Sequence, residues 1–137
     1  MSNQSELFPK MPVIDLFAGP GGLSEGFSTK INGNFPFQIC LSIEKDPIAY
    51  RTLILRSFYR QFIYNNMNPP KEYYEYLDGQ ISINQLQNVD PIFWKIASDE
   101  VLCAELGNSE KSHQPLIDQK ISDVLNKKND WILIGGP

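Results

Sequence analysis

Apolar residues cluster in short runs along the chain, and these runs predict the strands of a sheet. Residues 12–17 form a short apolar run that predicts a buried strand, and residues 35–43 hold a second strand, clearest over 37–43. Residues 131–134 are continuously apolar, which is typical of a parallel strand covered on both faces. The pattern therefore predicts three strands, two of them near the start of the sequence.

Capping residues, and apolar residues four positions apart, predict where helices begin. Leu23 and Phe27 are four residues apart, so a helix is expected directly after a glycine-rich turn. Asp46 precedes Pro47, which joins a capping carboxylate to a proline that fits the first helical position. This pair predicts a helix that continues to about residue 62.

The middle of the chain carries further helix signals. Asp90 before Pro91 repeats the capping pattern and predicts a helix that runs to Leu106, with Gly107 as its stop. Other helices are expected over 71–77, around 84–86 and over 115–127. Because the segment 65–107 is long for a simple connection between strands, we interpret it as a helical insertion.

The order of these elements predicts the fold class. This order is typical of an α/β fold with a mostly parallel sheet. It consists of a strand, a glycine turn, a helix, a second strand, several helices and a last strand. The chain has 137 residues, which allows one domain at most. Residues 1–11 are polar and are expected to form a flexible N-terminus, so the folded domain is expected to span 12–137.

Charge and cysteine content narrow the class of protein. The net charge of −4 has the wrong sign for a self-sufficient nucleic-acid binder. If the whole protein binds DNA, most of the basic surface is expected outside this stretch. Cys40 and Cys103 are too few for a disulfide framework or a metal site; we interpret Cys40 as a small buried residue and Cys103 as part of a helix. Neither a secretory signal nor an apolar run of roughly 18 residues is visible, which predicts a cytoplasmic protein without membrane contact.

The glycine turn and an acid after the second strand indicate a ligand. Gly19-Pro20-Gly21-Gly22 follows a strand and opens a helix, where glycines permit a sharp turn and a close approach of a ligand to the backbone. Glu44 ends the next strand at the spacing at which an acid meets ribose hydroxyls. This spacing alone does not separate a dinucleotide from S-adenosyl-L-methionine.

Three segments resemble the DNA cytosine-5 methyltransferases. Residues 15–27, which read DLFAGPGGLSEGF, closely resemble the first conserved motif of that family, and residues 42–46 look like the second. Residues 131–137 resemble the strand that leads into the catalytic motif, where Gly-Gly-Pro is followed by Pro-Cys-Gln. The resemblance implies a Rossmann-like methyltransferase fold that uses S-adenosyl-L-methionine as its cofactor.

The resemblance also implies cofactor-binding roles. The residues concerned are Phe17, Ala18, Gly19, Pro20, Gly21, Gly22, Glu44, Lys45, Glu105 and Pro137. Phe17 would pack on the adenosine, the backbone of the glycine turn would wrap the methionine portion, and Glu44 would accept hydrogen bonds from both ribose hydroxyls. Lys45 would flank the adenine, and Pro137 would border the pocket near the methyl group. A third acid would meet the adenine amino group; Glu105 is our choice, with Asp78 as the alternative.

The chemistry of the family requires a cysteine thiolate that adds to C6 of a flipped-out cytosine. The resemblance places that cysteine just after Pro137, and neither Cys40 nor Cys103 matches it. The chain is therefore expected to be an inactive fragment of a DNA methyltransferase that acts on double-stranded DNA, tied to a restriction–modification system. It would bind S-adenosylmethionine and its product S-adenosylhomocysteine. A tRNA cytosine-5 methyltransferase, a dinucleotide-binding oxidoreductase domain and a non-catalytic binding module stay open as alternatives.

Three further features concern the surface of the chain. Basic and aromatic residues mix in one segment: Tyr50, Arg51, Arg56, Tyr59, Arg60 and Tyr64. Such a mixture could touch nucleic acid, but a packed helix face with arginines reaching to solvent is the favoured interpretation. His113 is expected to be an exposed loop residue. If residues 131–134 form an exposed sheet edge, self-association through that edge is expected.

Overall fold

Four strands form one parallel sheet in a computed structural model of the chain, which describes residues 10–107 and 113–136. In chain order the elements are β1 (Met11–Leu16), α1 (Gly22–Phe27), β2 (Phe37–Glu44), α2 (Pro47–Tyr64), α3 (Lys71–Leu77), α4 (Ile83–Gln87), α5 (Pro91–Glu100), β3 (Val101–Cys103), α6 (His113–Leu125) and β4 (Ile132–Gly135). The strand order across the sheet is β3-β2-β1-β4. The predicted α/β class with a parallel sheet is confirmed.

Parallel pairing sets the position of the loops that follow the strands. β1 pairs with β2 on one side and with β4 on the other, and β2 pairs with β3. Because all of these pairs are parallel, the carboxyl ends of the strands lie at one edge of the sheet. The glycine turn after β1, Glu44 at the end of β2 and the loop after β3 therefore meet at that edge.

Two apolar clusters cover the two faces of the sheet. Neighbouring residues of β3 belong to different clusters, because side chains alternate between faces along a strand. Val101 packs with residues of α2, α4 and α5, including the fully buried Phe58. Leu102 packs on the other cluster, in which Ile117 of α6 meets apolar residues of β1 and β2. The sheet is thus a middle layer between helices.

The predicted helix starts are confirmed at both aspartate–proline pairs. The Asp46 carboxylate accepts hydrogen bonds from the N–H groups of Ile48 and Ala49, and Asp90 accepts one from Phe93. Each side chain satisfies N–H groups that have no partner inside the helix. No helix within 10–107 or 113–136 is long and apolar enough to cross a membrane.

The prediction of a helix from Asp90 to Leu106 is wrong beyond Glu100. α5 ends there, and residues 101–103 form β3 against the open side of β2. Pairing with β2 outweighs the local helical pattern of this stretch, as tertiary contacts often do. The helical part of the segment 65–107 therefore stops at Glu100, and Cys103 is an exposed strand residue rather than a helical one.

The last strand differs from the prediction of burial on both faces. β4 pairs with β1 and with no further strand among the described residues, so it lies at an edge of the sheet. Leu133 is 55% exposed and Trp131 is 39% exposed. Cys40, expected to be buried, is half-buried at a register shift between β1 and β2. Self-association through the β4 edge stays a prediction.

Candidate functional site

The glycine turn after β1 contains three residues with positive φ. Phe17, Gly19 and Gly21 have φ of 53°, 55° and 95°. A bulky residue with positive φ is uncommon, and such backbone strain concentrates at functional sites. Two backbone hydrogen bonds hold the turn: the Ala18 N–H donates to the Ile43 carbonyl at 3.1 Å, and the Gly21 N–H donates to the Ala18 carbonyl at 3.1 Å. The turn is therefore fixed against the end of β2.

Glu44 fastens the glycine turn to the second strand. Its Oε2 accepts a hydrogen bond from the Gly19 N–H at 2.8 Å, and its Oε1 accepts one from the Asp46 N–H at 2.9 Å. A carboxylate has about four acceptor positions, so each oxygen retains capacity for another donor. The same side chain can therefore hold the turn and receive two ligand hydroxyls.

Asp15 is a buried carboxyl beneath the turn that the sequence analysis did not single out. It is fully buried, and Oδ2 accepts a hydrogen bond from the Ser24 hydroxyl of α1. Burial raises the pKa of Asp15, while the Ser24 hydrogen bond and the charge of Arg60 act in the opposite direction. Asp15 ties the end of β1 to α1. An acid inside an otherwise apolar strand is the sequence signal that would have identified it.

A cleft opens where β1, β2 and β3 end. It is lined by Phe17, Ile43, Glu44, Lys45, Ala104, Glu105 and Leu106 and holds about 120 Å³. Small-molecule pockets usually have volumes of about 300–1,000 Å³, so this cleft accommodates only one part of a larger ligand. The Phe17 ring is 60% exposed at its rim. The cleft therefore offers an aromatic face beside a carboxylate.

Glu105 reaches the cleft from the loop after β3, not from the end of a helix as predicted. Its Oε1 lies 3.6 Å from the Lys45 ammonium, and its backbone N–H donates to Nδ1 of His113 at 3.2 Å. His113 is half-buried as the first residue of α6, so its interpretation as an exposed loop residue is wrong. The Lys45 side chain of this pair is 68% exposed, so the pair contributes little to stability.

The structure brings most of the residues predicted from sequence to this edge. Phe17, Glu44, Lys45 and Glu105 line the cleft. Ala18 is buried under the turn, and Gly19, Pro20, Gly21 and Gly22 form the turn and the first residue of α1. Asp78, the alternative third acid, is the exposed C-cap of α3 and does not line the cleft. Pro137 lies outside the described residues.

Replacing Gly21 by Ala is expected to destabilise the fold by about 1–3 kcal/mol. The φ of 95° is unfavourable for a residue with a Cβ, and that Cβ would lie 3.0 Å from Cδ2 of Leu53. The matched control is Gly26→Ala in α1, where a Cβ meets nothing within 4 Å. It should be neutral or stabilising by up to about 1 kcal/mol. Urea unfolding of both variants measures the difference, and equal effects would contradict the assigned turn geometry.

The fold and the cleft define a class of protein. A parallel α/β sheet with a glycine turn after its first strand and an acid at the end of its second is consistent with a Rossmann-like methyltransferase fold. Over 67 residues the chain is 42% identical to the Type II methyltransferase M.Bpa9945I of Bacillus paralicheniformis. This similarity covers 49% of the chain and only 14% of that relative. No family model matches the chain, and no solved structure matches it.

Proposed function

We propose that the chain is the S-adenosyl-L-methionine-binding part of a DNA cytosine-5 methyltransferase of a restriction–modification system. The observation that carries the proposal is the meeting of Phe17, Glu44 and Glu105 in one cleft at the carboxyl ends of three parallel strands. Similarity to a type II methyltransferase supports the methyltransferase class. The resemblance of residues 15–27 to the first motif of the cytosine-5 family supports the finer assignment.

The residues of the cleft fit the adenosine end of the cofactor. Phe17 offers an exposed ring for the adenine, and Glu105 offers a carboxylate that can accept a hydrogen bond from its amino group. Glu44 has acceptor capacity for both ribose hydroxyls while it holds the Gly19 N–H. The cleft is smaller than the whole cofactor, so the methionine portion would lie along the glycine turn outside it. The bound cofactor would supply a methyl group on its sulfonium.

Methyl transfer itself would need residues beyond those described. In the proposal the nucleophilic cysteine follows Pro137, and the elements that read double-stranded DNA lie elsewhere in the full protein. Cys40 and Cys103 are not proposed as the nucleophile, because neither lies in the motif that resembles the catalytic one. We propose that the full enzyme acts in the cytoplasm and that its methyl transfer depends on the cysteine that the resemblance places after Pro137.

Calorimetry with three ligands tests the cofactor assignment. The chain is titrated with S-adenosylhomocysteine, with adenosine and with a nicotinamide dinucleotide. We expect the first to bind tightest, adenosine to bind more weakly because it lacks the amino-acid portion, and the dinucleotide not to bind. Binding of the dinucleotide without binding of S-adenosylhomocysteine would instead support an oxidoreductase domain.

The coding sequence beyond Pro137 tests the enzyme assignment separately. Pro-Cys-Gln immediately after Pro137 is the expected result. A different residue at the cysteine position would support a non-catalytic module that keeps the fold. With the cysteine present, methylation assays of the full protein on DNA and on tRNA would distinguish the two cytosine-5 substrates.

A further inference from the structure

A second and larger cavity lies within the helical layer of α2, α3, α4 and α5. It holds about 460 Å³, which is within the usual range for small-molecule sites and exceeds the volume of the cleft at the strand ends. Its lining shares no residue with that cleft. The proposed cofactor therefore leaves this cavity without a role.

Three of the nine residues that line the cavity are aromatic. Tyr50 from α2, Tyr76 from α3 and Trp94 from α5 all contribute half-buried side chains. The Trp94 ring meets the fully buried Phe58 edge-on at a centroid distance of 5.2 Å, so its orientation is set by the core. Rings held in this way offer rigid faces on which a planar group can stack.

The polar atoms around the cavity are available to a ligand. Within residues 10–107 and 113–136, the side chains of Tyr50, Tyr76, Gln87 and Trp94 have no hydrogen-bond partner, although they are half-buried. All four of these groups can donate hydrogen bonds: two phenols, an indole N–H and an amide. A ligand with several acceptor atoms matches this arrangement.

Arg51 gives the cavity a positive charge. The other two arginines of α2, Arg56 and Arg60, both pair with Glu25. Arg51 is exposed at the cavity and has no carboxylate partner within the part of the chain that the structure describes. A guanidinium in this position is suited to bind a phosphate through paired N–H groups.

We propose that this cavity binds a nucleoside monophosphate unit, with its base on the aromatic rings and its phosphate on Arg51. The unit is either a free nucleotide or one nucleotide of a single strand, since both present the same base and phosphate. This proposal does not rest on the proposed cofactor, because Tyr50, Arg51, Tyr76 and Trp94 are all absent from the cofactor cleft. The basic and aromatic residues of α2 would then have different roles. Tyr50 and Arg51 line the cavity and would contact the ligand, whereas Arg60 is buried.

Tryptophan fluorescence gives a local readout of binding. The chain has two tryptophans, so Trp131→Phe leaves Trp94 as the reporter. Cytidine monophosphate is the probe, because a pyrimidine is a poor ligand for an adenine site. We expect it to quench the emission of Trp94, with an affinity about tenfold or more weaker in Arg51→Ala, because a charge-assisted hydrogen bond is lost. The matched control Lys95→Ala, which removes an exposed charge from α5, should bind as the parent does.

Two further measurements test where the probe binds and whether the natural ligand is a free nucleotide or a nucleic-acid strand. Glu44 does not line this cavity, so Glu44→Ala should leave the quenching unchanged. A short single-stranded oligonucleotide that binds more tightly than the monophosphate indicates a nucleic-acid strand; equal or weaker binding indicates the free nucleotide, and both support the site. The proposal is overturned if millimolar probe causes no quenching, or if Glu44→Ala abolishes the quenching while Arg51→Ala preserves it.

Discussion

Replacing Arg60 by Met should lower the free energy of unfolding by about 3–5 kcal/mol, the usual cost of removing one partner of a buried ion pair. Arg60 is only 6% exposed. Its Nη2 donates to Oε1 of Glu100 at 2.7 Å, and its Nη1 donates to Oε1 of Glu25 at 2.9 Å. The variant would leave Glu100 with its side chain 11% exposed and without its cation.

The loss should depend on pH in a defined direction. Burial raises the pKa of Glu100, and the charge of Arg60 acts against this rise. Without Arg60 the pKa of Glu100 rises further, so above the ordinary pKa of a glutamate the folded state keeps a proton that the unfolded state has released. Stability of the variant then falls as pH increases toward the folded-state pKa. The gap to the parent protein should therefore be smaller at pH 5 than at pH 7.

Urea unfolding at both pH values measures this gap. Arg51→Met is the matched control: it removes an exposed arginine from the same helix and should change stability by no more than about 0.5 kcal/mol. Adding Glu100→Gln to Arg60→Met should recover part of the loss, because the unpaired buried charge is removed. If the Arg60 and Arg51 variants were equally stable, the buried ion pair would have no structural role.

Glu44→Ala should weaken S-adenosylhomocysteine binding by about a hundredfold or more, given two charge-assisted hydrogen bonds of roughly 1.5–3 kcal/mol each. The proposed role of Glu44 is to receive both ribose hydroxyls, and its carboxylate also holds the Gly19 N–H at 2.8 Å. The substitution thus removes a ligand contact and a support of the turn. Glu44→Gln keeps the shape of the side chain and one acceptor oxygen, so it should lose less binding affinity than Glu44→Ala.

Two other acids serve as comparisons in the same titration. Glu105→Ala should weaken binding by about tenfold, since it lines the cleft and would lose one hydrogen bond to the adenine amino group. Asp78→Ala, at the exposed end of α3, should bind as the parent does. Thermal unfolding of each variant separates loss of fold from loss of affinity. Parent-like binding by Glu44→Ala would rule out the proposed ribose contact.

Features encoded by neighbouring residues were predictable from the sequence. The Asp46–Pro47 and Asp90–Pro91 starts were correct because a capping carboxylate acts on N–H groups two or three residues away. The positions of the glycine turn and of Glu44 were also predictable from neighbouring residues, because each directly follows or ends a strand that its own apolar run predicts.

Features that depend on distant partners were not predictable. β3 has three residues, and its strand conformation follows from pairing with Ser42, Ile43 and Glu44, more than fifty positions earlier. Glu105 was wrongly predicted to lie on a helix because the pairing of β3 with β2 could not be predicted from the local sequence. Arg60 was interpreted as reaching to solvent, because its partners Glu25 and Glu100 lie 35 and 40 positions away in the sequence. Their convergence arises only when α1, α2 and α5 pack together.

The position of β4 in the sheet also determines the order in which the fold can assemble during synthesis. β1 pairs with β2 after a short connection. The other edge of β1 stays unpaired until β4 is synthesised, because Val13 pairs there with Ile132. At roughly 5–20 residues per second, a ribosome needs about 6–24 s to produce the intervening chain. For that time one side of β1 has unpaired backbone groups, which attract other strands. We expect the nascent chain to depend on chaperones until β4 emerges.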